Sequence, residues 1–302
     1  MSVYDRFIPH EHRTFAEAAE RYMREFKGKG PRRIEQAIAT VLPYIGTLKL
    51  IDVDDAALRQ FKHDRANGVG HFVRPAMVGT TNKELTQVTT ILNKACHYWR
   101  WLPSAPKFEH LEGDERHGYP LSWGEQGRLF SELPTGWDVA AAVFAVNTGV
   151  RKAELFGLRW SDLRDIPQIG TIVFILRETK NGEQRAVICN SIARRVIDRM
   201  RGQDAEFVFP PHLCRQAGKV YIEAWKRAGL PTDKLTKRGI HNLRHTCAFR
   251  LRQAEVPQED RNAILGHART NLAEHYALPD IERLTAAAER ITVRRDSVIL
   301  RA

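Results

Sequence analysis

Apolar residues recur at helical spacing through the first hundred residues of the chain. In the stretch from Thr14 to Phe26 they fall on every third or fourth position, and Thr14 with Glu17 has the pattern of a capping box. Comparable patterns predict further helices at about 32–42, 54–65 and 81–101. The sequence therefore predicts a compact helical domain over residues 1–102.

The following residues, 103–118, mix proline, glycine and charge without periodicity, which predicts an interdomain linker. Periodicity then returns, and it predicts helices at 122–133, 137–147, 151–158, 191–201, 211–228, 241–254, 258–265 and 270–277.

Two β-like runs, 171–178 and 184–190, flank an Asn181-Gly182 turn signal, so a β-hairpin is predicted between them. The predicted fold class is mainly α with a small antiparallel β-sheet (α+β), with a second domain over 119–280. A tail over 281–302 begins helical and looks extended from 291 to 300.

The composition suggests a polyanionic partner. The formal net charge is +11 and the isoelectric point is about 9.7; residues 1–118 contribute +3 and the rest of the chain +8. Such an excess favours nucleic acid over a membrane. The longest apolar run, Val139 to Val146, is far too short for a membrane span. The four cysteines are scattered and form no C-x-x-C pair, so a protein of a reducing cytoplasm, without a zinc site, is expected.

The densest chemical signal is the motif HNLRHT at 241–246. His241 and Arg244 are three residues apart on a predicted helix and share a face. An arginine there can bind a phosphate through two parallel hydrogen bonds, and the histidine can exchange a proton with an oxygen of the same group. A solvated polar helix start is the plainer interpretation. A metal site on His241 and His245 is a third, although the glutamate of an H-E-x-x-H motif is missing.

A second signal lies upstream, in the motif TGVRKAEL at 148–155. Gly149 breaks one helix, and Arg151 opens the next beside free backbone N–H groups, which favours an anion. Glu154, one turn later, can orient the arginine. Taken alone, the motif also fits an ordinary turn with a surface arginine. Downstream, His267 taken singly also fits a structural histidine, and Tyr276 taken singly fits an ordinary core or surface residue.

Taken together, these motifs occur in an order that resembles the tyrosine recombinases, the family of phage integrases and Xer-type recombinases. The resemblance runs from about Leu121 to Ala277: T-G-x-R-x-x-E-L, a lysine in a β-hairpin, H-x-L-R-H-T, L-G-H and a final tyrosine. The helical domain 1–102 is similar to the core-binding, SAM-like DNA-binding domain of that family. The resemblance implies that the two domains form a C-shaped clamp on DNA.

The resemblance also implies a set of catalytic residues. They are Arg151, Lys180, His241, Arg244, His267 and Tyr276. In this set the two arginines and His241 bind the scissile phosphate, and His267 bonds the phosphate or the nucleophile. Tyr276 attacks phosphorus to give a 3′-phosphotyrosine, and Lys180 protonates the departing 5′-oxygen. Glu154 supports the site.

The implied function is site-specific DNA recombination for the integration or excision of a mobile element. The resemblance implies four protomers acting on two sites in double-stranded DNA, with no metal, ATP or other cofactor and no membrane. It leaves room for an accessory DNA-bending protein, and for a tail (281–302) that docks on a neighbouring protomer. It implies a cytoplasmic, nucleoid-associated protein encoded by a bacterium or a phage.

Further DNA contacts are predicted only from charge, because phosphate contacts position a protein without specifying sequence. The candidates are Lys27, Lys29, Arg32, Arg33, Lys83, Lys94, Lys237 and Arg238. Four alternatives to an integrase stay open at this point: an Xer-type resolvase, a type IB topoisomerase-like enzyme, a catalytically inactive DNA-binding relative, and a metal-dependent nuclease.

Overall fold

A computed structural model describes residues 12–28, 30–113, 116–176, 185–267 and 278–294. The chain divides into two compact units, residues 1–115 and residues 116–302. Among the described residues, none of the helices combines the length and the apolar character that a bilayer crossing requires.

The described part of the first unit is built from helices. They are α1 (Phe15–Glu25), α2 (Pro31–Ile45), α3 (Arg59–Asn67) and α4 (Val78–His97). The capping box at the start of α1 is present, since Thr14 Oγ1 accepts from Glu17 N and Thr14 N donates to Glu17 Oε2. The core contains fully buried side chains from all of these helices, among them Phe15, Val41, Phe61, Leu85 and Ile91.

Two of these helices differ in their bounds from the prediction. Helix α3 begins at Arg59 rather than near 54, because the Asp54 carboxylate accepts a hydrogen bond from Ala57 N at 2.8 Å and holds a turn there. Helix α4 ends at His97 rather than 101. Arg100 has a φ of 60°, a left-handed conformation in which the helix cannot continue.

The predicted linker, 103–118, is divided between the units. Its described residues up to 113 form no helix or strand, and Leu111 is bound to the first unit through both its N–H and its C=O by Asn82, at 2.9 Å each. Its last residues, His117–Gly118, form strand β1 of the second unit. Backbone hydrogen bonds therefore order both ends of this segment.

The second unit alternates helices with short strands. Its helices are α5 (Trp123–Ser131), α6 (Gly136–Thr148), α7 (Lys152–Leu155), α8 (Ser191–Met200), α9 (His212–Arg227), α10 (His241–Gln253), α11 (Gln258–Leu265) and α12 (Leu278–Glu289). Its remaining strands are β2 (Leu163–Ile166), β3 (Thr171–Leu176), β4 (Arg185–Ile188) and β5 (Thr236–Lys237). The predicted fold class, mainly α with a small antiparallel sheet, is confirmed. The predicted helix 270–277 lies outside the described residues.

The antiparallel sheet has the order β2-β3-β4, and it separates two apolar cores. On β3, Ile172 and Phe174 belong to the core that contains α6 and α9, whereas Val173 belongs to the core of α10 to α12. On β4, Val187 and Ile188 divide in the same way. Successive side chains of a strand point to opposite faces, so burial of both faces explains the uninterrupted apolar sequence of β3. The edge strand β2, with the sequence LRDI, carries no such signal and was not predicted, nor was the parallel pair of β1 with β5.

Helix α12 packs into its own unit. Ile281, Leu284 and Ala287 are buried in the core shared with α10 and α11. The predicted helical start of the tail is therefore correct, and the apolar face of that helix is covered by its own unit. The predicted extended segment 291–300 shows no strand as far as residue 294, and residues 295–302 lie outside the described part of the chain.

The first residues of the second unit are bound to helix α10. Asn242 is fully buried; its Oδ1 accepts from Tyr119 N at 2.8 Å, and its Nδ2 donates to Tyr119 O. One turn later, Thr246 Oγ1 accepts from Leu121 N at 3.1 Å. Asn242 and Thr246 are four residues apart and share one face of the helix, so these bonds fix the rotation and height of α10.

We expect Asn242→Ala to lower the free energy of unfolding by about 2–4 kcal/mol, because it removes two hydrogen bonds between a fully buried side chain and the backbone of Tyr119. Urea denaturation measures the change. Asn82→Ala is the matched control, since it removes the same two-bond pattern from Leu111 at a half-buried site. Water can replace those bonds, so the control should lose about 1 kcal/mol. Equal losses in the two variants would contradict the assignment.

Candidate active site

Arg151 is positioned by the turn between α6 and α7. Gly149 caps α6 in the left-handed conformation with a φ of 63°, and Arg151 is the N-cap of α7. Glu154 closes this turn: its Oε2 accepts from Arg151 N at 3.0 Å, and its Oε1 accepts from Arg151 Nη1 at 2.8 Å. The local sequence thus orients the arginine through a carboxylate that is only 8% exposed.

The other end of the Arg151 guanidinium is held by the end of α11. Arg151 Nη2 donates to Gly266 O at 2.7 Å, and Gly266 caps α11 in the left-handed conformation with a φ of 66°. His267 follows directly; its backbone N donates to Asn262 O at 2.9 Å and its side chain is exposed. Arg151 and His267 therefore lie on either side of one short turn.

Arg244 is held in a similar way by the glycine that ends α6. Its Nη1 donates to Gly149 O at 2.5 Å, and the residue is 6% exposed. Its Nη2 is buried and has no hydrogen-bond partner among the described residues. An unsatisfied buried donor is costly, so this nitrogen is a ready binding point for an anion.

Two glycine carbonyls thus anchor the two arginines, and neither glycine can be replaced without distortion. A Cβ on Gly149 would lie 2.5 Å from Leu265 Cδ2, and a Cβ on Gly266 would overlap the guanidinium of Arg185. Both positions also require a positive φ, which favours glycine.

Helix α10 brings His241 and His245 to the same place. The two rings lie 5.1 Å apart and nearly perpendicular, with His241 at the exposed start of the helix and His245 packed on the backbone of Gly118. Within the described part of the chain, no three His, Cys, Asp or Glu residues come together as a metal site would need.

The electrostatics of the site are those of a cationic pocket. Burial lowers the pKa of His241, and the charges of Arg244, Lys237 and Arg151 lower it further. Burial, followed by the charges of Arg244, Arg151 and Arg185, lowers the pKa of His267. For His245, burial and then the nearby His241, Lys237 and Arg244 lower the pKa to about 4. At neutral pH these imidazoles are neutral, and an anion bound among the cations would favour their protonated forms.

Glu154 supplies the opposing charge. Burial by itself would raise the pKa of this carboxyl group, but the charge of Arg185, the hydrogen bonds from Arg151 and the charge of Arg151 together hold the pKa below its ordinary value. The neighbouring arginines also affect Arg244. Burial and then the charges of Arg151 and Arg185 lower its pKa to about 10, so it stays protonated at neutral pH.

The structure brings together five of the predicted residues: Arg151, Glu154, His241, Arg244 and His267. Lys180 and Tyr276 lie outside the described residues, and their roles stay predictions. Lys237, predicted only as a DNA contact, lies close enough for its charge to lower the pKa of His241.

The other predicted DNA contacts are surface residues or lie beyond the described part. Lys27, Arg32, Arg33 and Lys83 are exposed in the first unit, Arg238 is half-buried in the second, and Lys29 is outside the described residues. Lys94 is 4.0 Å from Glu25 Oε2 and lies over the Tyr22 ring, so its charge is already engaged within the protein. None of these positions is tested as a DNA contact.

One member of the site is absent from the sequence prediction. Arg185 is 7% exposed, and its Nη2 lies 3.3 Å from Glu154 Oε2. In the sequence it is simply the polar first residue of a β-like run, and no spacing rule connects it to a glutamate so far upstream. Only the pairing of β3 with β4 reveals that it comes next to α7.

We expect Glu154→Gln to destabilise the protein in a pH-dependent way. Because the pKa of Glu154 is held below 4.5, its carboxylate stabilises the folded state at neutral pH, and this contribution is lost as the pH falls through the folded-state pKa. The free energy of unfolding should therefore drop by about 2–4 kcal/mol at pH 7 and by progressively less below pH 4.5. Urea denaturation of both proteins between pH 7 and pH 3 measures this difference.

Glu132→Gln is the control for that experiment. Glu132 pairs with Arg227 at the surface, where both side chains are more than a third exposed, so its loss should cost under about 1 kcal/mol at every pH. A Glu154→Gln deficit that stayed constant from pH 7 to pH 3 would show that the carboxylate does not carry this charge balance.

Comparison with solved structures shows the fold. Lambda integrase (75–356), in a dimer bound to a core site, matches with a TM-score of 0.67 and 16% identity, over 88% of this chain and 99% of that one. The Tn1549 transposon integrase in complex with transposon right end DNA matches with a TM-score of 0.64 and 18% identity, over 93% and 100%. The XerH recombinase bound to its difH substrate gives 0.56 and 15%, over 85% and 80%.

Sequence comparison gives the family. The integrase of Salmonella phage P22 is 25% identical over 234 residues, which cover 72% of this chain and 58% of that protein, so the match spans little more than half of the relative's length. The sequence model of the phage integrase family matches residues 128–283, slightly more than half of the chain, and includes every residue of the site described above. On this match the chain belongs to the phage integrase family.

Proposed function

We propose that this protein is a site-specific recombinase that cuts and rejoins double-stranded DNA through a 3′-phosphotyrosine intermediate. One observation carries the proposal. Two arginines are held rigidly by glycine carbonyls, and a buried guanidinium nitrogen of Arg244 has no partner within the described residues. Fixed guanidinium donors in a cationic pocket are complementary to a phosphodiester.

The side chains of the pocket fit the needs of phosphoryl transfer. Negative charge gathers on the non-bridging oxygens as an oxygen attacks phosphorus, and preorganised donors stabilise it most effectively. Arg151 and Arg244 supply fixed guanidinium donors. His241 is neutral in the empty pocket because its pKa is lowered by burial and by the neighbouring cations, so it can donate one hydrogen bond without adding repulsion.

The nucleophile and the acid are assigned from the sequence. Tyr276 follows His267 by nine positions, and Lys180 lies between strands β3 and β4. The described end of that segment, Arg185, contacts Glu154 within the site, which supports a role for the segment there. A lysine is a suitable proton donor for a 5′-alkoxide leaving group, and a tyrosine beside cations is more easily ionised. The phosphotyrosine conserves the energy of the broken bond, so a free 5′-hydroxyl can reverse the step without ATP.

The assembly is proposed by analogy with the structural neighbours. Lambda integrase is seen as a dimer on a core site and as a tetramer on a Holliday junction, and the Tn1549 integrase is seen with transposon DNA. We infer that this protein acts as a tetramer on two sites in double-stranded DNA. An accessory DNA-bending protein is compatible with this arrangement. Docking of the tail (281–302) on a neighbour would leave the apolar face of α12 in its own unit, where Ile281, Leu284 and Ala287 are buried.

We infer further that the protein acts on the DNA of a mobile element in the cytoplasm of a bacterial cell, at the nucleoid. The phage P22 relative and the family match support this setting. The predicted alternatives share part of the same chemistry, and the following experiment separates them.

We expect a covalent protein–DNA adduct when the protein meets nicked duplexes that trap the cleaved state. Since the target sequence is unknown, a random-sequence pool of such duplexes is used, and denaturing gels with sequencing of the captured DNA read out both the adduct and the site. The adduct should form in the presence of a chelator and map to Tyr276. Tyr276→Phe should abolish it.

Tyr98→Phe is the matched control, because Tyr98 is an exposed tyrosine of the first unit and should leave the adduct unchanged. Arg151→Lys should slow its formation by about a hundredfold or more, since lysine cannot reproduce the guanidinium fork. Strand cutting that leaves no adduct and is lost with the chelator would instead identify a metal-dependent nuclease. Adducts without any preferred sequence would favour a topoisomerase-like enzyme.

A further inference from the structure

Arg185 contacts both of the groups that hold Arg151. Its Nη2 lies 3.3 Å from Glu154 Oε2, and its guanidinium lies against Gly266 so closely that a Cβ there would overlap Nη1. Glu154 and Gly266 are the two anchors of the Arg151 guanidinium, on Nη1 and Nη2 respectively. Arg185 therefore stabilises the position of the Arg151 guanidinium through two separate contacts.

Arg185 itself is too deeply placed to be an ordinary surface cation. Its side chain is only 7% exposed. It lies on a strand whose following residues are apolar and buried, among them Val187 and Ile188. A charge in such a position is costly unless it is paired, and its nearest described carboxylate, Glu154, is also the one that pairs with Arg151. The position would suit an apolar residue better if only core packing were at stake.

The charge of Arg185 also reaches the rest of the site. It is one of the cations that lower the pKa of His267 and of Arg244, after burial and the charge of Arg151. Glu154 thus contacts the guanidinium groups of Arg151 and Arg185, and its charge also acts on that of Arg244. Arg185 sets the charge balance in which Arg151, Arg244 and His267 meet an anion.

We propose that Arg185 is a positioning residue for DNA cleavage: it fixes Glu154 and the turn at Gly266, and through them it orients the guanidinium of Arg151 and the ring of His267. This inference rests on the proposed function, since the group that these side chains orient themselves toward is the scissile phosphate. Arg185 does not bind that phosphate in this proposal. It acts entirely through its neighbours.

The proposal distinguishes the chemical step from DNA binding. Misplacing a catalytic group by a fraction of an ångström to an ångström costs up to about a hundredfold in rate, whereas the many phosphate contacts outside the site are untouched. We expect Arg185→Met to slow single-turnover adduct formation by about 10- to 100-fold while the affinity for duplex DNA changes less than about threefold. Arg185→Lys keeps a charge that can pair with Glu154 and should recover most of the lost rate.

A double mutant tests whether Arg185 works through Glu154. Two residues that act as a unit have non-additive effects, so Arg185→Met combined with Glu154→Gln should be slowed by clearly less than the product of the two single effects. Arg250→Met is the matched control. Arg250 is equally buried, at 7% exposed, but it lies over the Trp123 ring at 3.7 Å and makes no described contact with Glu154. The factor by which Arg250→Met changes the rate of adduct formation should therefore multiply with the factor for Glu154→Gln.

Titration of the His267 ring by NMR adds a readout that needs no DNA and no activity. Removal of the Arg185 charge should move the midpoint of His267 upward in Arg185→Met, and Arg250→Met should leave it in place. A rate in folded Arg185→Met equal to the wild-type rate would overturn the proposal. So would a slower variant whose effect multiplies with Glu154→Gln and whose His267 midpoint is unmoved, because that pattern describes a structural role only.

The design separates this proposal from the proposed function. If the wild-type protein itself forms no adduct, the proposed function fails. The proposal on Arg185 fails if the wild-type protein forms the adduct and folded Arg185→Met forms it at the same rate. Should Arg185→Met not fold, Arg185→Lys and the doubly neutral pair Arg185→Met with Glu154→Gln carry the same comparison. Thermal unfolding of each variant establishes which of them are folded at the assay temperature.

Discussion

The second unit depends on the balance of charge around Glu154. A carboxylate that is 8% exposed accepts from Arg151 and pairs with Arg185, while Arg244 lies close enough to share the same field. Three guanidinium groups beside one carboxylate repel one another, so the site has an excess of positive charge that favours an anion. Such a site stabilises a group most strongly when negative charge develops on it.

The fold meets this constraint by anchoring charged side chains to main-chain atoms. The carbonyl oxygens of Gly149 and Gly266, at the ends of α6 and α11, each accept from one arginine. Carbonyls at helix ends lack intrahelical donors and carry partial negative charge, so they are natural partners for cations. The sheet contributes rigidity, because it is buried on both faces between two cores. Helices from both sides of the sheet can then converge on one small pocket.

The sequence alone predicts the α+β class, most of the helices, the hairpin strands and the cluster of Arg151, Glu154, His241, Arg244 and His267. These features depend on local periodicity, on caps and on a family resemblance carried by short motifs. Strands β1 and β5 escape prediction because each has two residues and its partner is distant in sequence, and β2 escapes because its sequence, LRDI, shows no strand pattern. Arg185 also escapes prediction, because its contact with Glu154 joins β4 to α7 and leaves no pattern in the local sequence.

Helix α10 connects the candidate site to the first residues of the second unit. Its first turn carries His241 and Arg244, while Asn242 and Thr246 bind the backbone at Tyr119 and Leu121. The pairing of β1 with β5 ties the two residues before Tyr119 to a strand that lies just ahead of α10 in the chain. A displacement of this short segment would therefore be transmitted to the start of α10 through main-chain hydrogen bonds as well as through apolar packing.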